Sequence, residues 1–463
     1  MALPDTDLGW VDHLSRLHDR EIPTLRELDD EYELRAPKSY MHPEIFREIG
    51  DRLSQVVIAA PMLVADSVEE RLEPEGFRLP DEDAADDDLW RVWQENNLDE
   101  ESQLGRLDAL VMKRSYLTVG TNEDDADTPL VTCESPLEMF ADIDPRTRKT
   151  RAALRRWGDY TDSLVRLPEY YATLYLPDRT VWYERGQNAW VETGRDEHGL
   201  GEPLVVPMLN RGRLADHCGR SELSPILPIA HAMNKIATDM MVAAEFVALP
   251  LRGIFGIGPD DLEDAGGNKL TALQAIMGRL LTIRETDGVK QFEFTSANLS
   301  NFHETINQLA KLVASLGALP PHFLGFTTDN PASADAIRSS EARLVKRAER
   351  KQTAFGGSYE KGARLVKRLQ DGDWDPRYRR LETVWRDAST PTVAQKADAA
   401  QKTFTTGITT KRQAREDLGY TDGQIRRMEA DDEAEAQRDP LANIARGLNQ
   451  PVTEPAMPAS VGP

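Results

Sequence analysis

The chain has 463 residues, 40% hydrophobic and 29% charged, a globular composition with room for about two to four domains. Its 56 Lys and Arg stand against 79 Asp and Glu, a net charge of −23, which excludes a simple cationic coat for nucleic acid and confines any DNA contact to local patches. Two cysteines, Cys133 and Cys218, are too few for a disulfide scaffold or a cysteine-based metal site and point to a reducing compartment.

The chain begins Met1-Ala2-Leu3-Pro4-Asp5-Thr6-Asp7, without the basic and apolar stretches of a secretory signal. Its longest apolar runs, 56–65 and 240–251, are well short of the roughly 20 residues of a membrane span, so a soluble intracellular product is expected. Residues 1–65 read as helices with polar connections: Pro23 is placed at a helix entrance, and 45–60 carries apolar positions at helical spacing. Residues 81–88, Asp-Glu-Asp-Ala-Ala-Asp-Asp-Asp, repel one another and are expected in a solvated loop. One amphipathic helix should follow, burying Leu89, Trp90, Trp93, Leu104, Leu107, Leu110 and Val111, and give way at Ser115 to a strand over 116–120. From there to about 211 the apolar period is two. Runs at 170–176 and 180–185, split by Pro177-Asp178, predict a hairpin, and 204–209 predicts a short apolar strand.

Residues 221–249 place apolar side chains at 223, 226, 227, 230, 233, 237, 240, 241, 244 and 247, a helical stripe with Pro225 and Pro228 near its start and Pro250 at its end. Such a helix would be about 40 Å long. Three short β-type runs, 251–257, 279–284 and 291–295, predict a small compact insert. A second helix is expected from Asn301, its side chain capping and Glu304 reciprocating, with Phe302, Ile306, Leu309, Val313 and Leu316 on one stripe and Gly317, Pro320 and Pro321 at its end. Two helices bracketing a small α/β module make a stalk with a head.

A loop over 321–333 then offers large apolar side chains among Gly, Pro and Asn. The long helix that follows carries ten Lys or Arg against four Asp or Glu between Asp335 and Leu369, and Gly356-Gly357 should bend it. Acidic helices are expected over 394–404 and 411–436, and the last 25 or so residues have a disordered composition.

Chemistry-bearing motifs are missing: there is no G-x-x-x-x-G-K-[ST], no G-x-S-x-G and no H-E-x-x-H. His217 beside Cys218 lacks a specified ligand set, so separate residues are favoured over a zinc site. No catalytic, cofactor-binding or metal residues are expected. Trp90 and Trp93 read as core, and His231 as structural. On the long helix, Arg338, Arg343, Lys346, Arg347, Arg350 and Lys351 would either touch DNA phosphates or, as charged helix faces ordinarily do, be solvated or paired with an acidic neighbour subunit.

The order of these pieces resembles the portal proteins of long-tailed double-stranded DNA bacteriophages. The resemblance is carried by Asp66-Ser67-Val68-Glu69-Glu70-Arg71-Leu72 with Glu75-Gly76-Phe77-Arg78, by the Trp-containing helix Leu89-Trp90-Arg91-Val92-Trp93-Gln94-Glu95-Asn96-Asn97-Leu98-Asp99, by Asn210-Arg211 with Gly219-Arg220-Ser221-Glu222-Leu223, and by Asn330-Pro331-Ala332-Ser333-Ala334-Asp335-Ala336-Ile337. It spans about residues 15 to 435.

That resemblance implies an α+β portal fold: an α/β wing over 1–220, stem helix 1 over 221–249, a small α/β clip over 250–299, stem helix 2 over 300–317, a tunnel loop over 318–334, a long helix returning to the wing over 335–385, a helical crown over 386–437 and a disordered tail over 438–463. It implies a ring-shaped homo-oligomer of about twelve subunits at one capsid vertex of a virion, assembled in the host bacterial cytoplasm. Double-stranded DNA would pass through it in packaging and ejection, and the large terminase, a head-tail adaptor, and capsid and scaffold proteins would be its partners, with no membrane, cofactor or catalysis. His322, Phe323, Leu324, Phe326, Thr327, Thr328 and Asn330 would line the channel, or their apolar members would pack between neighbouring loops. Met233, Met240, Ile306, Leu309 and Val313 would pack the stem; Arg338, Arg343, Lys346, Arg347 and Arg350 would contact DNA or adjacent subunits.

Physics independent of the family agrees with such a use. A head-to-tail contact whose rotation closes gives a ring, and about twelve copies at −23 each would total roughly −276, so a largely acidic bore would resist adhesion to a sliding duplex. Two other readings are a monomeric or dimeric DNA-binding or scaffold protein that uses the basic helix 335–370, and an enzyme whose site carries no familiar motif.

Overall fold

Thr6 starts the first helix, α1 (Asp7–Tyr32), by accepting a hydrogen bond from the Gly9 amide at 3.2 Å, as a helix N-cap does. The helix continues through Pro23, so this proline marks no entrance. Its absent amide costs one backbone bond, and burial of Val11 and Leu14 before it and Leu25 and Leu28 after it outweighs that loss. In this computed structural model the described residues are 3–35, 56–80, 85–159, 169–187, 189–247, 252–255, 280–283, 290–293, 299–325, 334–389 and 393–438. Most of the helix expected over 45–60 therefore lies outside them, and Ala60 opens α2 (Ala60–Glu69).

The amphipathic helix expected over 89–111 is two, α3 (Asp87–Glu95) and α4 (Leu98–Val111). Asn97 stands between them in the left-handed region at φ 53°. The Asn96 side chain serves a neighbouring strand instead, donating to the Pro129 carbonyl at 3.0 Å and accepting from the Val131 amide at 2.8 Å. These two asparagines carry more weight than the apolar spacing that runs across them.

Three sheets surround these helices. β1 (Pro74–Arg78) pairs with β13 (Glu382–Trp385). β2 (Arg114–Gly120) lies between β3 (Leu130–Glu134) and β9 (Val205–Leu209), antiparallel to both. An antiparallel meander runs in chain order through β4 (Met139–Ile143), β5 (Thr150–Asp159), β6 (Glu169–Tyr175), β7 (Thr180–Arg185) and β8 (Trp190–Asp196). The hairpin expected about Pro177-Asp178 is its β6–β7 pair, with Leu174 opposite Val181. Val11 and Leu14 of α1 cover one face of the meander at Ala152, Leu154, Ala172, Leu174 and Tyr183.

The long helix α7 (Ala334–Asp371) runs through the largest core, where Phe355 and Tyr359 pack with Phe77, Trp93 and Leu117. Trp93 stands edge-on to Tyr359 at 5.1 Å and stacks on Trp90 at 5.7 Å, a core role for both tryptophans. Gly356-Gly357 do not interrupt α7; a Cβ on Gly356 would stand 3.0 Å from the Trp385 indole nitrogen, so the absent side chain admits β13. Arg106 of α4, 1% exposed, joins three helices: it donates to Glu69 of α2 at 3.0 Å, to Ser102 at 2.9 Å and to the Tyr359 hydroxyl at 3.1 Å. A buried guanidinium is tolerated where its donors are matched in this way.

Residues beyond 390 make a separate unit of three helices, α8 (Val393–Thr405), α9 (Lys411–Leu418) and α10 (Asp422–Arg438). Thr410 caps α9 and Gly419 ends it in the left-handed region. Arg415 and Lys411 of α9 both reach Asp432 of α10, at 2.6 and 2.7 Å. The tail over 439–463 lies outside the described residues.

One buried contact between α1 and the meander titrates. His18, 1% exposed, has Nε2 2.9 Å from the Pro136 carbonyl and Nδ1 2.9 Å from Arg156 Nη2. Arginine only donates, so Nδ1 accepts and Nε2 carries the hydrogen given to Pro136. Burial first, with the Arg156 and Arg114 charges behind it, lowers the imidazole from 6.5 to about 4. The unfolded chain thus takes up the extra proton between these values, and stability falls as pH drops from 6.5 towards 4. Asp108, pushed up to about 6 by burial, acts in the opposite sense, so the histidine must be isolated by substitution. His18→Gln keeps one donor and one acceptor without the titration: between pH 7 and about pH 5 the parent should lose about 2 kcal/mol more than the variant in urea denaturation, and equal losses would contradict this assignment.

Candidate functional site

The stalk expected from the sequence consists of α5 (Leu227–Val247) and α6 (Ser300–Gly317). α5 begins six residues later than the 221 start of the apolar stripe, because Pro225 disfavours helical backbone at Ser224. Pro228 sits at the second helical position, where a missing amide is harmless. α6 begins at Ser300 after Leu299, with no side-chain cap. Asn301 lies inside its first turn, where its carbonyl accepts from the Thr305 hydroxyl at 2.8 Å. The left-handed residue that ends α6 is Ala318, at φ 60°, whereas Gly317 was the expected stop; a Cβ on Gly317 would come 2.8 Å from Val64.

Between the two helices lie strands at the three expected β-type runs, β10 (Arg252–Phe255), β11 (Leu280–Ile283) and β12 (Lys290–Glu293). β10 is central, parallel to β11 and antiparallel to β12.

The two stalk helices share one apolar core with α2, formed by Val64, Ala230, Met233, Ala310, Val313 and Ala314. Of the residues predicted to pack the stem, Met233 and Val313 are buried, Ile306 and Leu309 are half-buried against that core, and Met240 is half-buried. Leu316, counted on the same stripe from sequence, is 49% exposed; Leu312 is 51% exposed and Met241 38%. Leu312 and Leu316, one turn apart, share a helix face, so α6 carries a second apolar strip that no described residue buries.

A buried charged cluster ties the base of the stalk to α7. Gly219, at φ 81°, turns the chain where a Cβ would lie 2.1 Å from the Lys113 carbonyl, and glycine is the residue that fits there. Three residues later Glu222 reaches α7. Its Oε1 is 2.7 Å from Lys351 Nζ and 3.0 Å from Asn210 Nδ2, and its Oε2 pairs with Arg347. Lys351 also donates to Asn210 Oδ1. Arg347 donates to the Gly317 carbonyl at 2.5 Å and Arg343 to the Ser315 carbonyl at 3.0 Å, two of the last-turn carbonyls of α6 that a helix cannot satisfy itself. Burial, and after it the Arg347 charge, lower Lys351 to about 8.

The short 3₁₀ turn Pro321–Leu324 follows the stalk. Phe323 and Leu324 pack against the stalk core. His322 Nε2 lies 3.8 Å from Glu341 of α7, whose other oxygen is 3.5 Å from Arg71. Phe326, Thr327, Thr328 and Asn330 of the predicted channel loop lie outside the described residues. Of the basic residues read as candidate DNA or subunit contacts, Arg343 and Arg347 bond within the chain, Lys346 pairs with Glu349 at 2.6 Å and Arg350 is exposed; Arg338 lies in the first turns of α7. Sequence reasoning carried Glu222 only as part of a block and assigned it no partner. Its signal was the pair of cations four residues apart, Arg347 and Lys351, on one face of a helix. Cys133 packs beneath Gly105 and Cys218 is exposed; among the described residues no cluster of His, Cys, Asp and Glu is suited to a metal ion. The site's chemistry is that of a joint: paired charges and capped carbonyls.

Removing the shared carboxylate tests that joint. Glu222→Ala should lower unfolding stability by about 3 kcal/mol, since it leaves the buried Lys351 and the partly buried Arg347 without their anion. A loss below about 1 kcal/mol in urea denaturation would mean that the cluster is solvated and does not hold the stalk.

The chain matches the family described as phage portal protein, SPP1 Gp6-like, over residues 11–438. It is 42% identical over 389 residues to the portal protein of Mycobacterium phage D29, covering 82% of this chain and 79% of that one, and 39% identical over 427 residues to the portal protein of Mycobacterium phage L5, covering 90% and 86%. Among solved structures it is similar to a chain of the virion of a native gene transfer agent particle, with TM-score 0.43, 12% identity and coverage of 78% of this chain and 88% of that chain. It is also similar to a chain of the neck of an empty gene transfer agent particle, with TM-score 0.44, 13% identity and coverage of 81% and 93%. With a family match across nearly its whole length and two relatives near 40% identity, the chain belongs to the phage portal protein family of the SPP1 Gp6-like type.

Proposed function

We propose that copies of this chain close into a ring of about twelve at one vertex of a phage head, and that double-stranded DNA passes through the ring during packaging and ejection. In this reading 1–220 is the wing, 221–249 and 300–317 the stem, 250–299 the clip, 318–334 the tunnel loop, and 386–437 the crown; 335–385, expected as one long helix, is α-helical only to Asp371 and returns to the wing through the strand β13. The large terminase docks on the ring during packaging and a head-tail adaptor afterwards. The chain itself works as a passive conduit assembled in the host cytoplasm, with the energy for packaging supplied by a separate ATPase.

The observation that carries the reading is the uncovered apolar face of the stalk. Leu312 and Leu316 on α6 and Met241 on α5 are large and exposed, and burying such side chains against an adjacent stalk is favourable by about 25 cal/mol per Å². A head-to-tail contact of this kind supports ring closure. The acidic balance of −23 per chain supports a bore that does not grip the duplex. Among the described residues no helix is long and apolar enough to cross a membrane. The competing reading, a small DNA-binding protein that uses the basic helix, is weakened because Arg343 and Arg347 are spent on α6 carbonyls.

Native mass spectrometry of the purified chain should give a species near about twelve times 51.9 kDa. Leu312→Asp combined with Leu316→Asp, both at exposed positions, should abolish that species while leaving the single chain's melting temperature within a few degrees. A parent that stays monomeric, or a double variant that still assembles fully, would contradict the proposal.

A further inference from the structure

A cleft on the wing carries an unusual concentration of positive charge for so acidic a chain. It lies between the β4–β5 turn, the segment leading into β9, the C-terminal half of α7 and the residues just after α7, and it encloses about 610 Å³. Six cations border it: Arg148, Lys149, Lys361, Arg364, Arg368 and Arg379. Among the described residues none of the six has a carboxylate within ion-pairing distance, and of the two acids in the lining, Glu202 and Asp375, the second is held by Arg377 at 2.7 Å. The floor is apolar, with Leu200, Val205, Leu209 and Leu365.

The cleft is also built to hold its shape. Asp144 receives the Arg146 and Thr147 amides at 2.7 and 3.1 Å, and its backbone exchanges bonds with Arg148 and Lys149 at 2.7 and 2.9 Å, so the turn presents those two cations on a fixed frame. Arg368 stacks over the half-exposed Trp374 ring at 4.6 Å, and its buried Nε has no hydrogen-bond partner. Arg364 donates to the Tyr378 carbonyl at 3.5 Å and lies within the fields of Glu360 and Glu202 without forming an ion pair. Basic groups around an apolar floor suit a protein segment that brings carboxylates and apolar side chains together. A DNA duplex presents phosphates on a convex surface and would touch the rim alone.

We infer that this cleft is a contact between copies: it receives an acidic, apolar-bearing surface segment of the adjacent chain in the ring. The inference rests on the ring reading above. Every copy carries both halves of such a contact, the basic cleft and a surplus of 23 negative charges, and a contact between unlike patches is the heterologous kind that closes rings. Cations that form no ion pair in one chain then find carboxylates in the next, and the bond weakens as salt rises.

The test uses the full chain and native mass spectrometry across a sodium chloride series. Arg148→Glu with Lys149→Glu, and separately Arg379→Glu, change exposed side chains and should leave the melting curve in place. Both should shift particles from ring to smaller species at salt concentrations where the parent remains closed, while Arg148→Lys should behave as the parent. If the parent closes and both charge reversals close equally well at every salt concentration, the inference is wrong and the ring reading stands. If the reversals keep the ring but lose the gel shift of a short DNA duplex, the cleft is a nucleic-acid site instead. A parent that never closes removes both readings together.

Discussion

The arrangement depends on one largely buried carboxylate. Glu222 stands where the chain leaves the β-rich half and enters the stalk, and it meets Arg347 and Lys351 of a helix more than a hundred residues further on. Two cations around one anion leave a net positive charge, which Asn210 and the Gly317 carbonyl help to solvate. Such a cluster contributes less through its Coulomb energy than through the large cost of any geometry that leaves a member unpaired. It therefore fixes the angle at which the stalk leaves the rest of the chain, and Arg343 and Arg347 extend the same constraint to the last turn of α6.

That constraint has a consequence for DNA passage. A long basic helix invites the idea of phosphate binding, yet two of its arginines are turned towards carbonyls of the stalk. The positive charge of these two arginines thus serves the chain's own architecture, and the net charge of the whole chain is −23. Under the proposed function, a conduit built of such subunits would repel the duplex at long range. The cations around the cleft beside the β4–β5 turn are an exception to this internal pairing, since they form no ion pair among the described residues.

Much of this was legible in the chain. The apolar stripes of the stalk, the hairpin about Pro177-Asp178 and the three strands between the stalk helices follow from local periodicity and turn chemistry, because each is decided by residues close in sequence. The ordered blocks from Asp66 to Ile337 were enough to suggest the portal family. What failed was local signal overruled by distant contact. Pro23 reads as a boundary but lies within a helix held on both sides by buried leucines. Asn96 and Asn97 split a continuous stripe because Asn96 completes the edge of β3. Asn301 reads as a cap yet sits two positions past it, since Leu299 holds the cap position. The pairing of Glu222 with Arg347 and Lys351 crosses 125 and 129 positions, and no spacing rule within a helix or strand reports contacts of that range; the half-uncovered face of α6 was equally hidden, since Leu316 looks from periodicity like a core residue.

The central claim is closure of many copies about a hole wide enough for duplex DNA. Electron micrographs of frozen, purified particles, averaged by class without imposed symmetry, test it most directly. End-on classes should show an annulus with radial repeats, about twelve in number, around an open centre; classes that show only compact single chains or pairs, with no central opening, would contradict it.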